Sequence, residues 1–309
     1  MKPFKSIIEF QKAFGNEDTC REYLELQRWN GTPCCTECAS IKVTRFKNDV
    51  RRFQCNEKTC RKQFSVLQGT FAENTKIPLT KWFLAMYILN NHSKGISSLQ
   101  LAGWLDVTQK TAWFLNHRIR EMLNETSNGN LLSGTVEIDE TYIGGKESNK
   151  HASKRKVKAG VGGKTMVIGA VQRGGIVVTK VIPQTSIDEV QKFIHNTVEP
   201  NSTMVTDEHH AYNRVHENYK HETVKHREKE YVRKDNKSIH NQNIEGYWNI
   251  LKKQIVGIHH SVSPKHLQRY CNENAYRYNN RLLAQDERFA SALANCNGRL
   301  KYETLIEKQ

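Results

Sequence analysis

Residues 136–146 read VEIDETYIGGK. Val136 and Ile138 alternate with Glu137 and Asp139, the period of a strand with one apolar face, and Gly144-Gly145 closes the run. Two other strings carry comparable acids. VTDEHHAY (205–212) ends the apolar pair Met204-Val205 at Asp207, and NIEGYWNILKK (243–253) places Glu245 on a helix-forming stretch.

Working outward, TVEIDETYIGG (135–145), TMVIGAVQ (165–172) and IVVTKVIP (176–183) read as three strands, with a Gly174-Gly175 turn between the last two. SIDEVQKFIHNTV (186–198) reads as a helix with Ser186 as N-cap and Glu189 completing a capping box. STMVTDEHHAY (202–212) is a fourth strand. Helices follow from Asn243 to about Ile258 and over HLQRYCNENAYRYNNR (266–281). Three strands, a helix, a strand and a helix, with acids on the first strand, the fourth strand and the late helix, is the order of a ribonuclease-H-like mixed sheet with flanking helices. The expected fold class is therefore multidomain α/β: a small zinc ribbon, a helix-turn-helix-like helical block, then that sheet. The boundaries expected are 1–70, 71–130 and 131–309, with NETSNGNLLSG (124–134) as a polar linker.

The acids suggest a chemistry. Two-metal phosphodiester cleavage needs carboxylates that bridge and flank ions about 3.5–4 Å apart, and hard cations such as Mg²⁺ take oxygen ligands. Each acid taken alone reads as a solvated surface charge; the three in these contexts read as a metal site. Glu137 faces the same way as Asp139 and is a supporting residue. Lys252, seven residues after Glu245, returns to the same helix azimuth, where it can touch a phosphate.

Charge points to the substrate. Lys and Arg number 47 against 32 Asp and Glu, a formal net charge of +15, which favours a polyanionic partner. The longest apolar run is Trp82–Leu89, too short to span a membrane, and the N-terminal stretch lacks a signal-peptide pattern. The expectation is a cytoplasmic, nucleoid-associated protein with reduced cysteines.

Six of the eight cysteines fall in the first 70 residues. Cys35-x2-Cys38, sixteen residues, then Cys55-x4-Cys60 suits a tetrahedral structural Zn²⁺ between two knuckles, with Cys34 as an alternative to Cys35. So small a segment would draw folding energy from the ion. Arg45, Lys47, Arg51, Arg52, Arg61 and Lys62 make its surroundings basic. SSLQLAGWL (97–105), a DVT break and QKTAWFLNHRIREML (109–123) have helix-turn-helix proportions, with Thr108 as N-cap of the second helix. In that reading Gln109, Lys110, Trp113, Asn116 and His117 lie on or near the exposed side, and Gln109, Lys110 and Asn116 contact DNA. KESNKHASKRKVKAGVGGK (146–164) holds seven Lys or Arg; Lys154, Arg155 and Lys156 would bind phosphates from a solvated loop. Arg277 and Arg281 are further candidates for DNA contact or for bracing the active site, with plain helix packing through Tyr270 and Tyr276 as the equal alternative.

These strings resemble bacterial insertion-sequence transposases that join an N-terminal zinc ribbon to an ISXO-type DDE catalytic domain. The resemblance rests on VEIDETYIGGK, TDEHHAY, IEGYWNILKK, CRKQFSVLQGTF (60–71) and GIHHSVSPKHLQRYCNENAYRYNNR (257–281), of which the last is the most specific. It implies a catalytic triad of Asp139, Asp207 and Glu245 holding two Mg²⁺ (or Mn²⁺) ions, with Lys252 as a base that contacts the DNA end. The thirty-seven residues between Asp207 and Glu245 are close to the interval in related integrases. Where the family often reads HTN, this chain has His240-Asn241-Gln242, then Asn243; some members use an Asn as third ligand, so Asn243 or Gln242 is a candidate to share metal or water positioning, with Glu245 kept as the third ligand because its charge balances the ions better. The implied partners are terminal inverted repeats, target DNA and at least one further copy of the chain, with no membrane and no small-molecule substrate. A non-catalytic DNA-binding regulator and a nuclease that does not join strands are the rival functions.

Overall fold

A computed structural model describes residues 3–124, 131–145, 151, 153, 163–182, 187–212, 218–225 and 231–307. Two compact units form, Met1–Asn124 with Leu282–Gln309, and Glu125–Arg281.

The first unit opens with α1 (Ile7–Ala13) and α2 (Glu17–Trp29). Ser6 and Asn16 cap them, each side chain accepting an amide three residues on. β1 (Val43–Arg45), β2 (Phe53–Cys55) and β3 (Gln63–Phe64) form a small antiparallel sheet whose Phe53 and Phe64 pack on Trp29. α3 (Leu79–Asn91) is apolar almost all round and correspondingly buried. α4 (Ser98–Leu105) and α5 (Gln109–Met122) make the helical pair at the predicted boundaries. Asp106 turns the chain in the left-handed region, and Thr108 Oγ1 accepts the Thr111 amide at 3.2 Å.

The second unit is a five-stranded sheet of β4 (Thr135–Ile143), β5 (Thr165–Gln172), β6 (Val177–Ile182), β7 (Thr203–Thr206) and β8 (Lys220–Thr223), in the order β6-β5-β4-β7-β8. β4, β5 and β6 run antiparallel, while β7 and β8 lie parallel to β4. On one face Val136, Ile138, Ile168, Ala170 and Met204 pack against Val190, Phe193 and Ile194 of α6 (Ile187–Thr197). Across the other lie α7 (Gln242–Gln254) and α8 (Pro264–Asn279), joined by a π-helical turn at Ile255–His259. Ile244, Tyr247, Trp248 and Leu251 repeat at helical spacing and meet Val167, Val171 and Val177. This is the predicted ribonuclease-H-like layering. The predicted N-cap Ser186 lies outside the described residues.

The stretch from Leu282 on differs from the sequence reading, which runs the catalytic segment to Gln309. In the structure it belongs with the first unit. Helix α9 (Gln285–Ala294) inserts Phe289 among Phe4, Phe10, Phe14 and Phe83, with ring centroids 5.2–5.9 Å away. Phe71 N–H donates to Cys296 O and Gly298 N–H to Gly69 O. The short α10 (Tyr302–Ile306) follows. An aromatic cluster contributed by distant segments leaves no local periodicity to read. No helix among the described residues is long and apolar enough to cross a membrane.

Candidate active site and cysteine cluster

The β4–β7 ladder pairs Thr135 with Thr203 and Glu137 with Val205. Asp139 lies two residues further along β4 and Asp207 just past the end of β7, near enough for its charge to act on Asp139. Asp207 terminates β7, and its Oδ1 accepts the His209 amide at 2.9 Å, which turns the chain away from the sheet. Asp139 Oδ2 accepts Trp248 Nε1–H from α7 at 3.0 Å. Burial, reinforced by the charges of Glu140 and Asp207, pushes the Asp139 carboxyl up to about 7, against the opposing Glu140 amide and Trp248 bonds. Burial also raises Glu140, with the Asp207 charge adding to it and the Tyr212 hydroxyl, 2.6 Å away, opposing it. The charges of Glu140 and Asp207 reach Asp139, which favours its neutralisation by a proton or a cation. Their oxygen donors suit a hard divalent ion.

Glu245 is half-buried on α7, one helical turn before Trp248, and Lys252 is exposed two turns beyond Glu245. The three predicted acids do not converge tightly: among the described residues, only the cysteines place three or more potential ligand atoms within 4.8 Å of one another.

Glu137 shares the Asp139 face, as its position in the alternation predicts, and its carboxylate is fully buried. Oε2 accepts the amides of Asn243 at 2.8 Å and Ile244 at 3.1 Å; Oε1 accepts Arg173 Nε at 2.7 Å and Asn243 Nδ2 at 2.8 Å. Asn241, the N-cap of α7, makes no capping bond of its own. A strand residue therefore caps the helix, satisfying orphan amides and placing negative charge at the positive end of its dipole. Arg173 completes the clamp by donating to the carbonyls of Ser238 and His240. The Asn243 amide group is turned to Glu137.

Several expectations for DNA contact change. Asn116 is 1% exposed and His117 is also buried, so neither stands on the outer side of α5. The helix is wrapped over its second half, and residues 115–120 are all buried. Arg277 is 9% exposed and is bound to Glu273 and to Gln254 Oε1, inside a network rather than at a surface. Arg281 is exposed; its Nη1 donates to the carbonyls of Gly175 and Tyr278, and its guanidinium lies 4.2 Å from the Tyr278 ring centroid. Gln109 and Lys110 are exposed, Gln109 donating to Ser98 Oγ and Lys110 lying over the Tyr302 ring. Lys154, Arg155 and Lys156 lie outside the described residues.

Sequence reasoning missed Glu140, Arg173, Tyr212, Trp248 and Gly169. Two of these left a signal. Trp248 sits at i+3 from Glu245, and Gly169 interrupts an otherwise apolar strand, a mark of close approach.

In the first unit, Cys35, Cys38, Cys55 and Cys60 place their sulfurs within 4.8 Å of one another. Cys35 and Cys60 are 3.7 Å apart, Cys38 and Cys55 3.6 Å. A tetrahedron with Zn–S bonds of about 2.3 Å has edges of roughly 3.8 Å, so the cluster fits zinc. Cys34 lies outside the set, which decides the alternative in favour of Cys35.

Residues 131–279 match the ISXO2-like transposase domain, and residues 15–63 match the transposase zinc-ribbon domain. An uncharacterized protein in transposable element ISH50 of Halobacterium salinarum is 27% identical over 274 residues, 84% of this chain and 90% of that protein. Among solved structures, the Mos1 strand transfer complex matches at 14% identity and a TM-score of 0.28, covering 71% of this chain and 78% of that one. The mariner Mos1 paired-end complex with Mg matches at 12% and 0.25, covering 70% and 79%. Both overlays are loose. With a four-cysteine cluster in the ribbon segment and a mixed five-stranded sheet in the other, the chain has the zinc-ribbon and DDE-type domain architecture of the ISXO2-like transposases.

Proposed function

We propose that this chain binds the ends of an insertion sequence, cleaves a phosphodiester bond there and joins the freed 3′ end to target DNA. The observation that carries the reading is the nearness of Asp139 on β4 to Asp207, just past the end of the adjacent parallel strand β7, with α7, which carries Glu245, tied to Asp139 through Trp248.

In this reading Asp139, Asp207 and Glu245 hold the divalent ions, two per site. Those ions, when bound, supply activation of the attacking hydroxyl and charge stabilisation at the leaving oxygen. The chain's own residues do the positioning. Glu137 and Arg173 hold the start of α7, Trp248 ties that helix to Asp139, and Tyr212 ties the segment after Asp207 to Glu140. Lys252 contacts a phosphate near the scissile bond, and Arg281 with Lys154, Arg155 and Lys156 follows the backbone electrostatically. The ribbon and α4–α5 recognise the terminal repeats, with Gln109 and Lys110 offered at the N-terminal end of α5. Asn116 and Arg277 have structural roles. Two ends must be brought together, so at least two copies act on DNA, in the cytoplasm at the nucleoid.

The test is a strand-transfer assay with the element's end sequences, Mg²⁺ and a supercoiled plasmid, comparing wild type with Asp207→Ala. Joined product from wild type alone supports the proposal. Cutting without joining would make the chain a nuclease, and end binding without cutting a regulator.

A further inference from the structure

Gly169 stands directly across the β4–β5 ladder from Asp139. A glycine inside a buried strand weakens it, and the usual reason is the close approach of another group. Backbone freedom is not the reason here, since Gly169 is not among the positive-φ glycines. The approaching group is the indole of Trp248. A Cβ on residue 169 would lie 2.6 Å from Cη2 and 2.9 Å from Cζ2 of that ring, and 3.2 Å from Ile244 Cδ1. Contacts under about 3 Å cannot be absorbed by a buried bicyclic ring with only two side-chain torsions. Residue 169 must be glycine for the ring to lie this low on the sheet.

The depth matters because of what the ring does at its other edge. Trp248 is buried, and its Nε1–H donates to Asp139 Oδ2. An indole N–H is a donor only. It cannot compete for a cation, cannot titrate and cannot swap roles with the carboxylate it holds. Glu245 lies one turn earlier on the same helix, so the seating of this ring also sets the height of α7 over the sheet.

We infer that Trp248 is a positioning residue for Asp139. Seated in the notch at Gly169, it fixes the plane of that carboxylate and ties it to the helix carrying Glu245. This rests on the assignment of Asp139 as a metal ligand in the proposed function. Groups that orient a ligating carboxylate govern metal affinity, commonly by about 10- to 100-fold.

The experiment uses the full-length, zinc-loaded protein and reads metal binding directly. Mn²⁺ affinity is measured from the electron paramagnetic resonance signal of the free ion for wild type, Trp248→Phe, Gly169→Ala and Asp139→Asn. Trp248→Phe keeps most of the ring volume and loses the donor; Gly169→Ala keeps the donor and lifts the ring. Both should weaken Mn²⁺ binding by roughly tenfold. In parallel, Mg²⁺ is added to wild type labelled with ¹⁵N-tryptophan. The Trp248 indole resonance, one of five and assigned through its contacts to Gly169, should shift on saturation. This second measurement does not depend on any variant folding. Wild-type Mn²⁺ affinity in Trp248→Phe alongside its loss in Asp139→Asn overturns the inference, as does an indole resonance unmoved while metal binds. Undiminished binding by Asp139→Asn overturns instead the assignment of Asp139 on which the inference stands.

Discussion

The Glu137 carboxylate accepts the backbone amide of Asn243 at 2.8 Å, so strand β4 supplies the capping bond that Asn241, the N-cap of α7, does not make. One strand thus carries both a predicted metal-binding aspartate and, two residues earlier, the anchor for the helix that bears Glu245. Glu137→Ala should destabilise the protein by about 3 kcal/mol, since it strips a buried anion from several donors and leaves Arg173 with less compensation. Glu137→Gln keeps acceptor oxygen and should lose less. Urea unfolding monitored by tryptophan fluorescence distinguishes the two, and equal losses would count against capping.

Asp139 gives a pH dependence. Its carboxyl stands at about 7 in the folded chain, above the ordinary value of 3.8. Between these values the folded protein keeps a proton that the unfolded chain has lost. This group's contribution to stability therefore falls as pH rises and levels off above about 7. A divalent cation favours the ionised form. Mg²⁺ should raise the thermal midpoint by more at about pH 8 than at about pH 6, as read by differential scanning calorimetry. Equal shifts at both would contradict the coupling.

The cysteine cluster predicts a sharp contrast between neighbours. Cys35→Ser should lose bound zinc, with loss of amide protection over β1 to β3, because so small a sheet draws its folding energy from the metal. Cys34→Ser should retain full zinc content by atomic emission. Zinc retained by Cys35→Ser and lost by Cys34→Ser would reverse the assignment.

Arg277 should behave as a core residue. Its removal leaves Glu273 buried, so Arg277→Ala should cost about 3–5 kcal/mol. The slope of DNA affinity against salt should stay unchanged, because no phosphate contact is lost. A reduced slope at intact stability would return Arg277 to the DNA-binding surface.

The difference between Arg277 and Asp139 shows where sequence is informative. Alternation is local, so the strand bearing Val136, Ile138 and Asp139 can be read directly, as can the Thr108 cap and the cysteine spacing. Burial around a helix is not local. Arg277 looks like any basic residue on a polar helix until Gln254 and Glu273 are seen around it, and Asn116 looks exposed until residues 115–120 are found enclosed. Phe289 joins an aromatic cluster drawn from Phe4 to Phe83, which no window of sequence contains. The cap from Glu137 to Asn243 spans 106 positions and was legible only as a face, never as a partner.

In the proposed function Asp139, Asp207 and Glu245 act together on the scissile phosphate. Single-turnover cleavage of labelled end DNA in Mg²⁺ tests it most directly, with Asp139→Ala, Asp207→Ala and Glu245→Ala run beside wild type and end binding measured on the same samples. Metal-assisted stabilisation is worth several kcal/mol, so each variant should cut more than about a thousandfold more slowly while binding ends with similar affinity. Any one of the three cutting at the wild-type rate would contradict it.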